Sequence, residues 1–123
     1  MASYRDLLVW QKAMDLAEGA YGLARQMPKV EQFRLTSQLL RAAVSVPANI
    51  AEGRARTGGR EFLHFLSIAS GSLAETETLL LLAARSGLLP MAKVSPVMDC
   101  AEEVGRMLTG LKQALRRSSS AVT

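Results

Sequence analysis

The stretch Leu7–Met27, LLVWQKAMDLAEGAYGLARQM, decides the fold class. At about 100° per residue, its apolar side chains fill a continuous arc of roughly 200°, whereas a surface helix usually needs little more than about 100°. Two apolar seams therefore run side by side along one predicted helix, which Pro28 ends. The first seam is Leu7, Trp10, Met14, Ala17, Tyr21 and Ala24; the second is Val9, Ala13, Leu16, Ala20, Leu23 and Met27. We predict that the first seam faces a helical core and that the second is an oligomer interface.

A second helix is predicted over residues 31–56, and it repeats this wide apolar arc, beginning at Phe33. A narrow polar stripe opposes the arc and keeps its phase from Arg34 to Arg56. Pro47 lies inside this segment, where proline removes one backbone hydrogen bond. Because the polar stripe continues across the proline, we predict that Pro47 bends the helix rather than ends it, with Ser45 helping to satisfy the freed backbone.

Two further helices complete the predicted domain. The third runs over residues 61–86 and is closed by Gly87 as a C-cap. The fourth begins either at Pro90 or, with Ser95 as N-cap, at Ser95. Its apolar stripe has the ordinary width of a bundle helix. A flexible C-terminal tail is predicted over residues 118–123.

Length and composition agree with one helical domain over residues 1–117. The chain has 123 residues, of which 49% are hydrophobic but only 5% aromatic, and it has one cysteine. A core built from these hydrophobic but mostly non-aromatic side chains favours helices over strands. We predict an all-α, antiparallel up-down-up-down four-helix bundle that assembles into a homo-oligomer. The sequence has neither a secretory signal nor an apolar run of membrane-spanning length, so we expect a cytoplasmic protein without a membrane partner.

No constellation of residues predicts an active site. Glu61-x-x-His64 matches the Glu-x-x-His element of di-iron helical bundles. Such a site needs two of these elements and two further carboxylates, and His64 is the only histidine in the chain. Cys100 lies in an apolar arc, where cysteine behaves as a buried hydrophobe, and a Cys–His pair with His64 remains open from sequence. The residues Gly53 to Gly58 resemble a phosphate-binding loop, but the required Lys-Ser/Thr and preceding strand are missing. We therefore predict no enzyme, no catalytic residue, no metal and no cofactor.

The charge is concentrated in the first half of the chain. Residues 1–60 carry nine Lys/Arg against five Asp/Glu, whereas residues 61–123 carry six against six. A basic patch is typical of nucleic-acid-binding proteins. The candidate nucleic-acid-binding residues are Arg54, Arg56 and Arg60, followed by Arg34 and Arg41. Two alternatives stay open: Glu52 pairs with Arg56 while Arg60 is merely solvated, or the basic surface docks an acidic protein.

Four ordered blocks resemble the bacterial four-helix-bundle family of the 23S ribosomal RNA intervening-sequence proteins, which is related to the accessory variability protein of diversity-generating retroelements. The blocks are Asp6–Ala13 (DLLVWQKA), Leu35–Gly53 (LTSQLLRAAVSVPANIAEG), Glu61–Glu75 (EFLHFLSIASGSLAE) and Gly105–Leu111 (GRMLTGL). The main departure is Pro90 with Pro96 at the entry to the fourth helix. The resemblance implies a pentamer and association with RNA. Our leading hypothesis is a non-catalytic, oligomeric protein that binds structured RNA; the alternative is a protein–protein scaffold.

Overall fold

The computed structural model describes the backbone of residues 3–122 and the side chains of residues 3–118. Over this backbone range the chain forms helices and no strand. The four α helices are α1 (Leu8–Ala24), α2 (Leu35–Arg54), α3 (Gly59–Arg85) and α4 (Met91–Val122), with short 3-10 turns at Tyr4–Asp6 and Lys29–Glu31. The all-helical prediction is confirmed for the described residues, and four helices are consistent with a four-helix bundle.

Each helix packs against two others. α2 lies between α1 and α3, and α4 contacts the same two helices from the other side. Ser45 of α2 shares a 2.8 Å hydrogen bond with Ser72 of α3. Gly53, two turns further along α2, packs against Phe65, two turns earlier on α3. The paired residues therefore run in opposite directions along these two helices.

The buried core consists of two clusters, one toward each end of the helices. The first cluster contains Ala20, Leu23, Met27, Leu35, Leu39, Ala42, Ala43, Leu79, Leu80, Ala83, Leu89 and Val94. The second contains Val9, Ala13, Leu16, Val46, Ile50, Leu66, Ala69, Leu73, Ala101, Val104 and Leu108. The partly buried Val97 packs against both clusters.

The Val9 seam of α1 faces the core, contrary to our prediction, and the other seam is only partly buried. The proposed interface residues Val9, Ala13, Leu16, Ala20, Leu23 and Met27 are all buried in the core of the subunit. The cause is that α1 packs against both α2 and α4, and a Cβ on Gly19 would lie 3.2 Å from Val97 Cγ2, so α4 lies close along this side of α1. That contact turns the Val9 seam inward and leaves Met14 and Tyr21 of the other seam exposed. The assignment of the Val9 seam to an outer interface is therefore wrong.

The start of α2 also differs from the prediction. The helix begins at Leu35 rather than near residue 31, because the chain first makes the 3-10 turn at Lys29–Glu31. Arg34 then takes up φ −120° and ψ −111°, which is outside the helical region. Phe33 consequently precedes the helix and is 87% exposed, so its placement in the apolar arc of α2 was wrong.

Pro47 does lie inside a continuous helix, as predicted. α2 runs through it from Leu35 to Arg54. Ser45, which we expected to help satisfy the freed backbone, instead accepts two hydrogen bonds from Asn49 Nδ2, one to its carbonyl oxygen and one to Oγ, both 2.8 Å. α4 tolerates an interior proline in the same way, at Pro96.

Gly87 ends α3 in the predicted manner. It has φ +76°, a conformation that glycine adopts without a Cβ penalty. Its N–H donates to the Ala84 carbonyl (3.1 Å) and the Leu88 N–H donates to the Ala83 carbonyl (2.9 Å), the two bonds of a Schellman motif.

The fourth helix follows the first of the two predicted starts, because it begins directly after Pro90. It continues to Val122 through the segment predicted as a tail, whose flexibility stays a prediction; Thr123 lies outside the described residues. α3 is the one described helix with the length and mean hydropathy, 1.2 over 18 residues, to cross a membrane. The core helix of a bundle has the same properties, and Leu66, Ala69 and Leu73 of α3 are buried in this core.

Gly53 marks a close approach of α2 to α3. A Cβ built on it would lie 2.6 Å from Phe65 Cβ and 3.1 Å from Phe62 Cδ1. Phe65 Cβ is fixed by the α3 backbone, so it cannot move aside as the end of a long side chain would. The close packing of the end of α2 against α3 thus depends on the absence of a side chain at Gly53.

Gly53→Ala is therefore expected to destabilise the protein. The steric clash costs about 1–3 kcal/mol, and the better helix propensity of alanine offsets at most about 1 kcal/mol of it. The measurement is urea unfolding followed by circular dichroism. Gly71→Ala on α3 is the matched control, because nothing lies within 4 Å of its Cβ position, and it should stabilise slightly. Equal stability of the two variants would contradict the close approach.

Candidate nucleic-acid interface

The connection between α2 and α3 is short and open. α2 ends at Arg54, and Gly58 precedes α3 in an extended conformation, φ −145° and ψ 150°. A Cβ at Gly58 or Gly59 would meet nothing within 4 Å, so the surface here is free of neighbouring side chains. The first turn of any α helix has backbone N–H groups without intrahelical acceptors, and these favour an anion.

Arg56 is held in place by two contacts. Its Nη2 lies 3.1 Å from Glu52 Oε1, and its guanidinium lies 5.0 Å from the centre of the Phe65 ring. The alternative in which Glu52 pairs with Arg56 is thus present in the structure. Exposed pairs of this kind contribute only about 0–1 kcal/mol, so the pair orients Arg56 more than it stabilises the fold.

The other two arginines of this group differ in exposure. Arg54 is half-buried, whereas Arg60 is exposed in the first turn of α3. The structure thus brings Arg54, Arg56 and Arg60 to one end of the bundle, around the α2–α3 connection. We call these three residues the connection cluster.

The C-terminal part of α4 adds two arginines to this end of the bundle. Lys112 Nζ donates to Ser70 Oγ at 2.8 Å, which fixes the register of α4 on α3. With that register, Arg116 and Arg117 lie one turn beyond Lys112, toward the start of α3, and both are exposed. The sequence analysis missed them because the register of α4 against α3 is not readable from helical periodicity.

Arg34 and Arg41 lie at the opposite end of α2. Arg41 is exposed and donates to Ser37 Oγ at 3.1 Å, and Arg34 is exposed just before the helix begins. At 1.5 Å per residue, Arg41 and Arg54 are separated by about 20 Å along α2. The five predicted site residues therefore form two separate groups and not one site.

Beside Arg41 there is a groove between α1 and α2 that the sequence analysis did not predict. It has a volume of about 450 Å³ and is lined by Tyr21, Gln32, Phe33, Ser37, Leu40, Arg41 and Val44. Its mixture of aromatic, amide, hydroxyl and guanidinium groups differs from a purely apolar interface. The exposed side chain of Phe33 would have indicated this groove. The sequence did not show that exposure, because it depends on the late start of α2.

The groove between α3 and α4 has the opposite charge. It has a volume of about 550 Å³, and Glu77 and Glu102 lie on its two walls with Arg106 nearby. Burial raises the pKa of the Glu77 carboxyl above its ordinary value, and the negative charge of Glu102 raises it further. Two acidic side chains and one basic side chain therefore line this groove, in contrast to the arginines near the ends of α2.

The residues considered for catalysis do not meet. Cys100 is half-buried on α4, with its Sγ 3.7 Å from the Lys12 carbonyl oxygen, and burial raises the pKa of its thiol. His64 is exposed near the start of α3, where its ring contacts Phe65. With α4 in register on α3, the levels of Cys100 and His64 differ by roughly 27 Å, so a Cys–His pair is excluded. Across the described residues, no group of three His, Cys, Asp or Glu side chains is placed as metal ligands would be.

The geometry defines the class of this protein: a helical bundle with arginines near both ends of its second helix. The family model of the 23S rRNA-intervening sequence protein matches residues 5–110. The chain belongs to the 23S rRNA-intervening sequence protein family, as the four sequence blocks predicted. A comparison with curated proteins finds no match.

One solved structure similar to this chain is a protein of unknown function from the S23 ribosomal protein family of Bacteroides thetaiotaomicron. It superposes with a TM-score of 0.80 at 24% sequence identity, over 85% of this chain and 98% of that one. At this identity the similarity supports the fold and nothing about function.

Proposed function

We propose that this protein is a non-catalytic, cytoplasmic RNA-binding protein that works as a homo-oligomer of antiparallel bundles and binds structured RNA through arginines near both ends of α2. The observation that carries the proposal is the charge of residues 32–60, which contain five arginines and one acidic residue, Glu52. The name of the family supports RNA as the partner. Guanidinium groups suit phosphate because they donate two parallel hydrogen bonds.

Exposed apolar side chains support the oligomer. Leu81 and Leu82 on the outer face of α3 are 40% and 49% exposed, and Ile68 on the same helix is 39% exposed. A group of this kind typically marks a contact surface. We propose that this face of α3 takes the interface role that the Val9 seam cannot have. Five subunits, the number that the resemblance implies, would carry 5 × 4 = +20 from a formal charge of +4 each.

The assembly is tested by Leu81→Glu combined with Leu82→Glu. We expect this variant to remain helical, because both side chains are exposed, but to dissociate because charges enter the apolar contact. Light scattering coupled to gel filtration should give a mass of several times 13.3 kDa for the parent chain and close to 13.3 kDa for the variant. Thr109→Glu combined with Gln113→Glu adds the same charge to exposed polar positions of α4 and should keep the parent mass. A monomeric parent protein would contradict the oligomer.

RNA binding is tested by measuring the affinity of the parent protein for a structured RNA over a range of salt concentrations. Binding to phosphates should weaken linearly on a log–log plot, because counterions are released. The alternative function, a scaffold for an acidic protein, has a different outcome: an acidic protein partner is recovered from native cells and RNA is not.

A further inference from the structure

The groove between α1 and α2 holds both exposed aromatic side chains of this chain. The sequence has six Phe, Trp and Tyr residues, all within the described range, and four of them are half-buried. Tyr21 and Phe33 are 45% and 87% exposed, and both line this groove. Leaving a phenylalanine in water forfeits about 1.5–3 kcal/mol of burial, so an exposed Phe33 points to a binding role.

A smaller basic depression lies next to this groove. It has a volume of about 340 Å³ and is lined by Arg25, Lys29, Gln32 and Thr36 together with Ala24, Met27 and Pro28. Gln32 lines both cavities, so they are adjacent. Within residues 25–41 there are four cationic side chains and a single acidic one, Glu31. The charge of this region suits an anionic ligand.

Thr36 gives an independent indication of a ligand. Its side chain is 8% exposed, and its Oγ1 is the one buried side-chain oxygen or nitrogen without a hydrogen-bond partner in the described part of the chain. An unpartnered buried hydroxyl costs folding free energy that most proteins avoid. Thr36 lines the depression, but Oγ1 itself is buried, so its side chain must rotate before a phosphate oxygen beside Arg25 and Lys29 can accept its hydrogen bond.

We propose that this pair of cavities binds an unpaired nucleotide of RNA, with its phosphate in the depression of Arg25, Lys29 and Thr36 and its base stacked on Phe33 and Tyr21. Every nucleobase has a π face, so stacking on aromatic side chains tolerates any sequence. Proteins that recognise folded RNA commonly take unstacked bases from loops and bulges in this way. The inference rests on the proposed RNA-binding function, and it adds single-stranded segments as the part of the RNA that is bound.

The test uses a single-stranded RNA that contains 2-aminopurine, whose fluorescence falls when the base stacks. Phe33→Leu keeps an apolar side chain but removes the π face. We expect it to weaken binding by about 5- to 100-fold, to reduce the quenching, and to leave the dependence on salt unchanged because no charge is lost. Val30→Ala is the matched control, because Val30 is 65% exposed in the same connection and lines neither cavity.

Thr36→Val tests the phosphate position with two readouts. Replacing an unpartnered hydroxyl by a methyl group should raise the thermal midpoint by about 2–5 °C, whatever its role. If the hydroxyl binds a phosphate, the affinity for RNA should also fall, by about tenfold. A variant that is more stable but binds RNA as tightly as the parent contradicts the phosphate position.

Three other results would overturn the inference. Phe33→Leu could bind the single strand like the parent while the parent binds RNA, in which case only this inference fails. Phe33→Leu could lower the mass of the assembly, in which case a second copy of the chain covers the groove. A parent protein that binds neither single-stranded nor structured RNA would end the proposed function, and this inference with it.

Discussion

Replacing Leu16 by alanine is expected to lower the free energy of unfolding by about 3–5 kcal/mol. Leu16 is completely buried in the cluster that contains Val46 and Ile50 of α2, so the smaller side chain leaves a cavity. A loss of this size is a large fraction of the stability of a single domain. The measurement is urea unfolding with the midpoint and slope both fitted.

Leu8→Ala is the matched control for this experiment. Leu8 is in the first turn of the same helix but is 69% exposed, so its truncation should cost less than about 0.5 kcal/mol. Leu8 lies outside both seams, so the pair tests whether the Val9 seam, which contains Leu16, faces the core. If Leu16→Ala instead leaves stability unchanged but dissociates the assembly, then the Val9 seam is an outer surface after all.

The triple variant Arg54→Ala, Arg56→Ala and Arg60→Ala should keep its fold and oligomeric mass but bind RNA much more weakly. Each lost phosphate contact lowers the slope of log affinity against log salt by about 0.7, so three contacts lower it by about two units. Fluorescence anisotropy with labelled RNA at several salt concentrations gives the slope directly. An oligomer repeats the connection cluster in every subunit. The loss of affinity is therefore larger, because the contacts are lost at every subunit and the avidity falls.

Arg106→Ala is the control for the triple variant. Arg106 is exposed beside the acidic groove of α3 and α4, so its removal should leave the slope unchanged. Circular dichroism must show that the triple variant is folded, because Arg54 is half-buried and Arg56 packs on Phe65. An unchanged affinity and slope would mean that the connection cluster is merely solvated, and the scaffold function would then be preferred.

Helical periodicity predicted where the helices of this protein lie in the sequence better than which face of each helix is buried. The phase of the polar stripe was enough to show that α2 continues through Pro47, because a helix that stops would break that phase. It could not decide which seam of α1 faces inward, because both seams are apolar over their full length. That choice depends on how α1 packs against α2 and α4, in contacts between residues distant in sequence such as Gly19 and Val97.

The candidate site was predictable only where its residues are neighbours in sequence. The connection cluster lies within seven residues and was found from the run of arginines. Phe33 was missed because its exposure depends on a helix start displaced by a 3-10 turn. Thr36 was missed because an unpartnered hydroxyl is a property of packing and has no sequence pattern.

The division of the core into two clusters has a consequence for how the two ends of the molecule communicate. The cluster under the α1–α2 groove and the cluster near the α2–α3 connection share few side chains, chiefly Val97. Proteins open locally as well as globally, in contiguous units that have their own stabilities. We therefore expect local opening at one end of the bundle to disturb the other end little, and a ligand in the groove and one on the connection cluster to bind with nearly independent affinities.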